Sequence, residues 1–247
     1  MADELYADTQ LAALYDRLYP GAADFGFYLP LVMAAQCVLD VGCGTGALLH
    51  AARARGHAGR LCGLDPAEAM LAQARARGDI DWIRADLASA GWIEEFDLVV
   101  MTGHVFQVFV ADSELRAALA AVRRVLKPHG RFAFDTRNPA ARAWESWPAQ
   151  APIEVEGPGG ERIRLTRQVL APFDGRTVTF TETFSAPGWS QPRLSRSTLR
   201  FLDATQLGRF LAEAGFTIEA QFGGFAREPL TPRSAELVTI ARPALKG

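Results

Sequence analysis

Between Cys37 and Phe134, short apolar runs alternate with longer stretches whose apolar positions recur every three or four residues. The short runs predict buried strands and the longer stretches amphipathic helices. Strands are predicted at Cys37–Val41, Arg60–Leu64, Ile80–Ala85, Asp97–Met101 and Gly130–Asp135. Helices are predicted at Ala47–Arg55, Pro66–Arg77, Ala88–Glu94 and Ser113–Leu126. Strands and helices in that alternation build a parallel sheet covered on both faces. Two helix starts carry their own signals. Asp65 before Pro66, with Glu68 following, suggests a capping box, and Asp112 or Ser113 can cap the next long helix.

Either side of this unit the pattern changes. Residues 5–36 read as helical segments broken at Pro20-Gly21, with Leu11, Leu14, Tyr15 and Leu18 on one face. After Asn138-Pro139 the period falls to two. Ile163, Leu165, Arg167 and Val169 share one strand face, and Val178, Phe180, Glu182 and Phe184 share another. Pro172-Phe173-Asp174-Gly175 is the turn between them, and Leu194–Leu202 adds a third strand. An amphipathic helix capped by Asp203 follows, then two strands with no helix between them, Phe216–Phe222 and Glu236–Ala241. Those last two read as an antiparallel hairpin. The chain is thus predicted as one domain over 1–247, with a helical cover at 1–36 and an inserted antiparallel β lid at 139–202.

Composition narrows the partners. The 247 residues are 49% hydrophobic and 22% charged with a formal net charge of −2. That balance gives no electrostatic case for nucleic acid or an anionic membrane. No apolar run approaches the ~20 residues that span a bilayer, and Met1-Ala2-Asp3-Glu4 lacks the build of a signal peptide. Three cysteines, Cys37, Cys43 and Cys62, lie in or beside strands and read as reduced buried thiols of a cytoplasmic protein. No His/Cys spacing suggests a metal. The number of subunits is left open.

The chemistry concentrates at Val38-Leu39-Asp40-Val41-Gly42-Cys43-Gly44-Thr45-Gly46. A strand that runs into such a turn and then a helix needs residues without Cβ and aims backbone amides at a ligand's anionic end. Asp40 would repel a diphosphate and welcome an ammonium, so the inferred ligand carries both signs of charge. The pattern also matches a nicotinamide-dinucleotide turn, in which an acid like Asp65 accepts ribose hydroxyls. That alternative leaves unexplained Asp40, the closing hairpin, and Asp86 after the third strand, where a carboxylate suits an adenine amino group.

In series, Val38 to Gly46, Gly63-Leu64-Asp65-Pro66-Ala67, Ala85-Asp86-Leu87, Phe96-Asp97-Leu98-Val99-Val100 and Leu126-Lys127-Pro128-His129-Gly130-Arg131-Phe132 resemble the successive motifs of class I S-adenosylmethionine-dependent methyltransferases. The resemblance covers residues 37 to 135. It implies an α/β fold with a Rossmann-like seven-stranded sheet, mostly parallel with a C-terminal antiparallel hairpin, and a β insertion after strand five. It implies S-adenosyl-L-methionine as cofactor. Asp40 and the turn residues Gly42, Cys43, Gly44 and Gly46 would hold its methionine end. Asp65-Pro66 would take the ribose, Asp86 and Leu87 the adenine, and Met70 would pack on the adenine face. Met101 closes the fourth strand beneath the same site.

Residues just beyond a strand's carboxyl end line the crevice of such a sheet. His104 is placed there as a candidate base and Gln107 as an acceptor contact. Arg137, after strand five, can hold a carboxylate or phosphate bidentately. All four tyrosines, Tyr6, Tyr15, Tyr19 and Tyr28, lie in the first 28 residues, and their segment resembles the N-terminal cover of small-molecule methyltransferases. Tyr15 is the candidate that faces the sulfonium, with Tyr19 and Tyr28 toward the acceptor. Trp144 and Trp147, with Phe180 and Phe184, suggest an apolar lid. The chain lacks the Asn/Asp-Pro-Pro-aromatic tetrapeptide of many DNA and protein N-methyltransferases. The expected activity is methyl transfer to the nitrogen or oxygen of a small molecule, with nitrogen favoured. The competing readings are a methyltransferase acting on protein or tRNA, and a protein that binds the cofactor without catalysis.

Overall fold

A computed structural model describes residues 4–19, 22–171 and 173–244. The predicted break at Pro20-Gly21 and the proline of the Pro172 turn lie outside those residues.

Seven strands form the central sheet: β1 (Cys37–Val41), β2 (Arg60–Asp65), β3 (Asp81–Arg84), β4 (Phe96–Met101), β5 (Leu126–Arg137), and, after the insertion, β10 (Phe216–Phe222) and β11 (Glu236–Pro243). Their order is β10-β11-β5-β4-β1-β2-β3. The five early strands are parallel, while β11 runs antiparallel to both β5 and β10. The predicted closing hairpin therefore forms, and β11 inserts between β5 and β10.

Each face of the sheet buries its own set of side chains. On one face, α4 (Ala22–Ala34) and α5 (Ala47–Ala54) pack Phe27, Tyr28, Val32, Leu48 and Leu49 against Val38, Leu98, Val100, Ala133 and Val238. On the other, α7 (Asp112–Val125) and α8 (Ala204–Glu213) pack Leu115, Leu119, Val122, Leu207 and Leu211 against Leu39, Val99, Phe132 and Phe134. Successive strand residues such as Val99 and Val100 divide between the two cores, as the period-two pleat requires. A further helix, α6 (Glu68–Ala74), packs Leu71 and Ala74 with Cys43 and Trp82.

The insertion forms a second sheet, β6 (Ile153–Glu156), β7 (Arg162–Val169), β8 (Thr177–Ser185) and β9 (Arg193–Arg200), antiparallel throughout. The sequence pattern predicts three of these four strands. β6 offers only Ile153 and Val155 as alternating apolar residues and lies at the sheet edge, too weak a signal to stand out.

Other differences are local. The N-terminal stretch is not a continuous helix but three single turns, α1 (Glu4–Ala7), α2 (Thr9–Ala12) and α3 (Tyr15–Leu18), before α4. Asp65 does not cap a helix beginning at Pro66. It accepts from Ala67 N at 2.8 Å, α6 starts at Glu68, and Glu68 pairs with Arg75 instead. Nor does Asp112 or Ser113 cap α7. Ala111 holds the cap position, its amide donating to Glu114 at 2.8 Å, while Asp112 binds Arg200 and Arg176. No helix among the described residues is long and apolar enough to cross a membrane.

Phe134, fully buried, stacks on Phe106 at 4.4 Å and on Phe132 at 4.5 Å. Phe134→Ala is expected to cost about 3–5 kcal/mol in urea denaturation, the range for an emptied aromatic core site. Ile93→Ala, at a residue 69% exposed, should stay within about 0.5 kcal/mol.

Candidate active site

β1 ends at Val41, and the chain reverses through Gly42, Gly44 and Gly46 with φ of 70°, 56° and 75°. A Cβ on Gly42 would stand 2.7 Å from Val105, and one on Gly46 would stand 2.2 Å from the Trp82 ring. Only glycine meets both demands. At Gly44 a Cβ would come within 3.2 Å of the Met70 methyl, so Met70 lies against the turn. Asp65 holds the turn from below. One of its oxygens accepts from Gly44 N at 2.9 Å while the other accepts from Ala67 N.

Asp40, at the carboxyl end of β1, is 1% exposed, and its Oδ1 has no hydrogen-bond partner. Burial, reinforced by Asp65 and then Asp24, pushes its carboxyl up to about 8. A buried carboxylate with an unsatisfied oxygen has a strong electrostatic demand for a cation. Asp86 is exposed beyond β3, and Leu87 beside it is buried.

A second cluster lies at the same end of the sheet. His104, in the left-handed region at φ 67°, donates its backbone N–H to Asp135 Oδ2 at 2.9 Å. Its Nε2 lies 3.0 Å from Glu236 Oε2 and 3.5 Å from Asp135 Oδ2. Tyr28 OH donates to Asp135 Oδ1 at 2.7 Å. Asp135 is fully buried, and burial raises its carboxyl despite the neighbouring histidine and tyrosine. Asp24 of α4 sits close enough to be pushed up to about 6, by burial first and by Asp135 second.

The N-terminal turns and the inserted sheet bound the crevice above. Thr45 Oγ1, in the glycine turn, donates to Asp16 of α3 at 2.7 Å. Tyr19 OH donates to Glu182 of β8 at 2.7 Å, and Glu182 also pairs with Arg167 of β7 at 2.6 Å. Between these links lies Tyr15, its ring 5.0 Å from that of Tyr19. Burial pushes its hydroxyl up to about 12, with Asp16, Asp65, Glu182 and Asp24 adding to the effect.

Residues 38–130 match the family model described as a methyltransferase domain. The cypemycin N-terminal methyltransferase of a Streptomyces species is 29% identical, over 97% of this chain and 98% of that protein. Among solved structures, the CcbJ methyltransferase of Streptomyces caelestis matches with a TM-score of 0.73 and 21% identity, covering 97% of this chain and 98% of that one. CalS10 of Micromonospora echinaspora, an amino pentose methyltransferase solved with S-adenosylmethionine bound, matches with a TM-score of 0.65 and 24% identity over 94% and 97%. Residues 38–130 thus carry a methyltransferase domain, in a chain whose fold is that of S-adenosylmethionine-dependent methyltransferases.

The methyltransferase has residues that fit this cofactor. Its glycine turn leaves no room for a Cβ, and Asp40 presents an unpartnered oxygen where a ligand's ammonium would sit. Asp40 with Gly42, Cys43, Gly44 and Gly46 would hold the methionine end. Asp65 retains lone pairs for ribose hydroxyls, and exposed Asp86 is available to the adenine. Met70 and Met101 are each 1% exposed, Met70 packing with Ala12 and Ala67 and Met101 within the core of the sheet, whereas Pro66 is exposed. When bound, S-adenosylmethionine supplies an electrophilic methyl on a sulfonium.

Tyr15 lies beside Tyr19, and His104 beside Glu236, the strand partner of Arg137, but three of the predicted acceptor contacts are committed to protein partners. Gln107 is fully buried, its Nε2 donating to Arg200 O at 2.7 Å and its Oε1 accepting from Arg137. It ties the inserted sheet to β5. Tyr28 is fully buried and committed to Asp135. Trp144 packs on Phe173 and Phe201 inside the insertion's own core. Trp147 belongs to the same core, packing on Phe180, with the Arg137 guanidinium 5.3 Å from its ring.

The sequence reading does not single out Asp24, Asp135 or Glu236. Topology was the available signal for the latter two. β5 ends beside the crevice, and an antiparallel neighbour must begin there, which places Asp135 and Glu236 together.

Asp40→Asn is expected to weaken S-adenosylmethionine binding about 10- to 100-fold in isothermal titration calorimetry, the worth of one charge-assisted hydrogen bond. Asp40 also predicts a pH dependence in the cofactor-free protein. The unfolded chain releases that proton near the usual carboxylate value of about 3.9, whereas the folded protein keeps it up to about 8. Between those values the unfolded state binds fewer protons, so stability falls as pH rises. Urea melts at pH 5 and pH 8 should show the decline, and Asp40→Asn should flatten it.

Proposed function

We propose that this methyltransferase transfers its methyl group to an amine nitrogen of a small acceptor. The acceptor enters beneath an N-terminal cover (1–36) and a β lid (139–202) that belong to one catalytic unit. The observation that carries the reading is the position of α3. It is bonded at one end to the cofactor turn through Asp16 and Thr45, and its C-terminal neighbour Tyr19 is bonded to the inserted sheet through Glu182. Three bodies meeting over the carboxyl end of the sheet favour a small molecule or the end of a chain as acceptor.

Nitrogen is favoured by the near full-length relative whose name specifies an N-terminus. Tyr15 would face the reacting centre, His104 would exchange its proton, and Arg137 would meet an anionic or carbonyl group of the acceptor. Methyl transfer by in-line displacement asks mainly for alignment and exclusion of water, and alignment alone can supply ~7–11 kcal/mol of the barrier.

The test is a panel assayed with methyl-labelled S-adenosylmethionine: short peptides with free or acetylated N-termini, amino sugars, alcohols, phenols and carboxylic acids. Label is expected on free amines and absent from the acetylated peptides. Label confined to hydroxyl or carboxyl oxygens would overturn the assignment to nitrogen. Cofactor binding without transfer to any member would count for a non-catalytic protein.

A further inference from the structure

Two carboxylates flank one imidazole at the carboxyl end of the central sheet, and a third, Asp24, lies within electrostatic reach. Glu236 Oε2 is 3.0 Å from His104 Nε2, and Asp135 Oδ2 is 3.5 Å from it. The donor and acceptor atoms of the three side chains all lie within 4.8 Å of one another. Asp24 adds a buried Oδ1 that has no hydrogen-bond partner. Arg137, a nearby fixed cation, interacts favourably with Glu236 and Asp135 through space without a direct ion pair. Arg137 stands opposite Glu236 in the β5–β11 register, yet its guanidinium turns to Trp147 and Gln107 and makes no ion pair with a described carboxylate. Arg137 aside, the titratable groups around His104 among the described residues are acidic or phenolic: Asp24 and Tyr28 from α4, Asp135 from β5 and Glu236 from β11.

Asp135, fully buried, accepts from the Tyr28 hydroxyl on one oxygen and from the His104 backbone on the other, which anchors the left-handed residue. Glu236, which is partly exposed, and Asp24, whose Oδ1 has no hydrogen-bond partner, are the carboxylates better placed to take a further donor. We propose that Glu236 and Asp24 form a subsite for the acceptor's protonated amine, and that Glu236, by accepting from His104 Nε2–H, positions the imidazole to take a proton from that amine.

This rests on the amine reading above and gives it a binding geometry. With Nε2–H donated to Glu236, the lone pair resides on Nδ1, which has no hydrogen bond among the described residues. The ammonium's proton passes to Nδ1, and the freed nitrogen lone pair forms the N–C bond. The S–C bond breaks with its electron pair retained by sulfur. The ring, 19% exposed, then returns the proton to solvent. A neutral hydroxyl gains little from such a subsite, and an anion is repelled by it.

The probes are n-propylammonium and n-propanol, which differ in the cationic head group. Binding is read on the protein with S-adenosylhomocysteine bound, from the His104 ring proton resonance, assigned by its loss in His104→Asn. Propylammonium is expected to shift that resonance saturably, and propanol to leave it unmoved. Glu236→Gln should weaken the propylammonium response at least tenfold and Asp24→Asn by a smaller factor. In both variants the affinity for S-adenosylmethionine should stay within threefold, showing an intact fold and cofactor site. An equal response to propanol, or an unchanged response in Glu236→Gln, overturns the subsite. So does displacement of propylammonium by micromolar Mn²⁺ together with loss of methyl transfer after EDTA dialysis, which would mark a metal site. Ammonium binding alongside transfer only to oxygen would overturn the proposed function and leave the cation subsite standing, so the two failures are distinguishable.

Discussion

The carboxylate of Asp65 accepts two backbone amides, from Gly44 and from Ala67, and on that pair of bonds the site's geometry depends. It clamps the glycine turn to the end of β2 and starts the chain toward α6. Three left-handed glycines would otherwise be the loosest part of the molecule. Because β1, β2, β4 and β5 are parallel, their carboxyl ends all open at the clamped edge. Asp40, Asp65 and Asp135 follow as members of one electrostatic neighbourhood, although 95 residues separate the first from the last.

That neighbourhood is costly to the cofactor-free protein. Asp40 and Asp24 are both pushed toward neutrality by burial first and then by a neighbouring carboxylate, Asp65 for Asp40 and Asp135 for Asp24. The protein tolerates this because the sheet is buried on both faces, by α4 and α5 on one and α7 and α8 on the other. A site that repels itself has a built-in preference for positive ligands, and the cofactor carries both an ammonium and a sulfonium. Electrostatic demand here is part of recognition rather than a defect of packing.

Most of the sheet was legible in the chain because buried parallel strands are short, apolar and bounded by glycine or proline. Cys37–Val41 was read to the residue, and the closing hairpin followed from two strand-like runs with no helix between them. The glycine turn and Asp40 were legible for a chemical reason, since their combination is hard to explain otherwise. Edge strand β6 and the start of α6 were not, because both hinge on weak local signals that tertiary contacts override. The acceptor side was the least legible. Gln107, Tyr28 and Trp144 were placed correctly along the chain, but whether a side chain faces a crevice or a neighbour depends on partners 29 to 107 residues away. Asp135 and Glu236 become neighbours only when β11 pairs with β5, a register that no short motif records.

The three N-terminal turns, four residues each, are far shorter than the ~12–15 residues an isolated helix needs to persist in water. Beyond the apolar contacts of Leu5, Leu11 and Leu18, a handful of polar links holds them: Asp8 to Arg193, Arg17 to the Glu156 carbonyl, Asp16 to Thr45 and Tyr19 to Glu182. None of these links crosses the central sheet. Undoing them opens the roof while both cores stay shut, so the opening free energy is set locally and lies below that of global unfolding. Fraying of this roof is therefore a local event, separable in free energy from unfolding of either core.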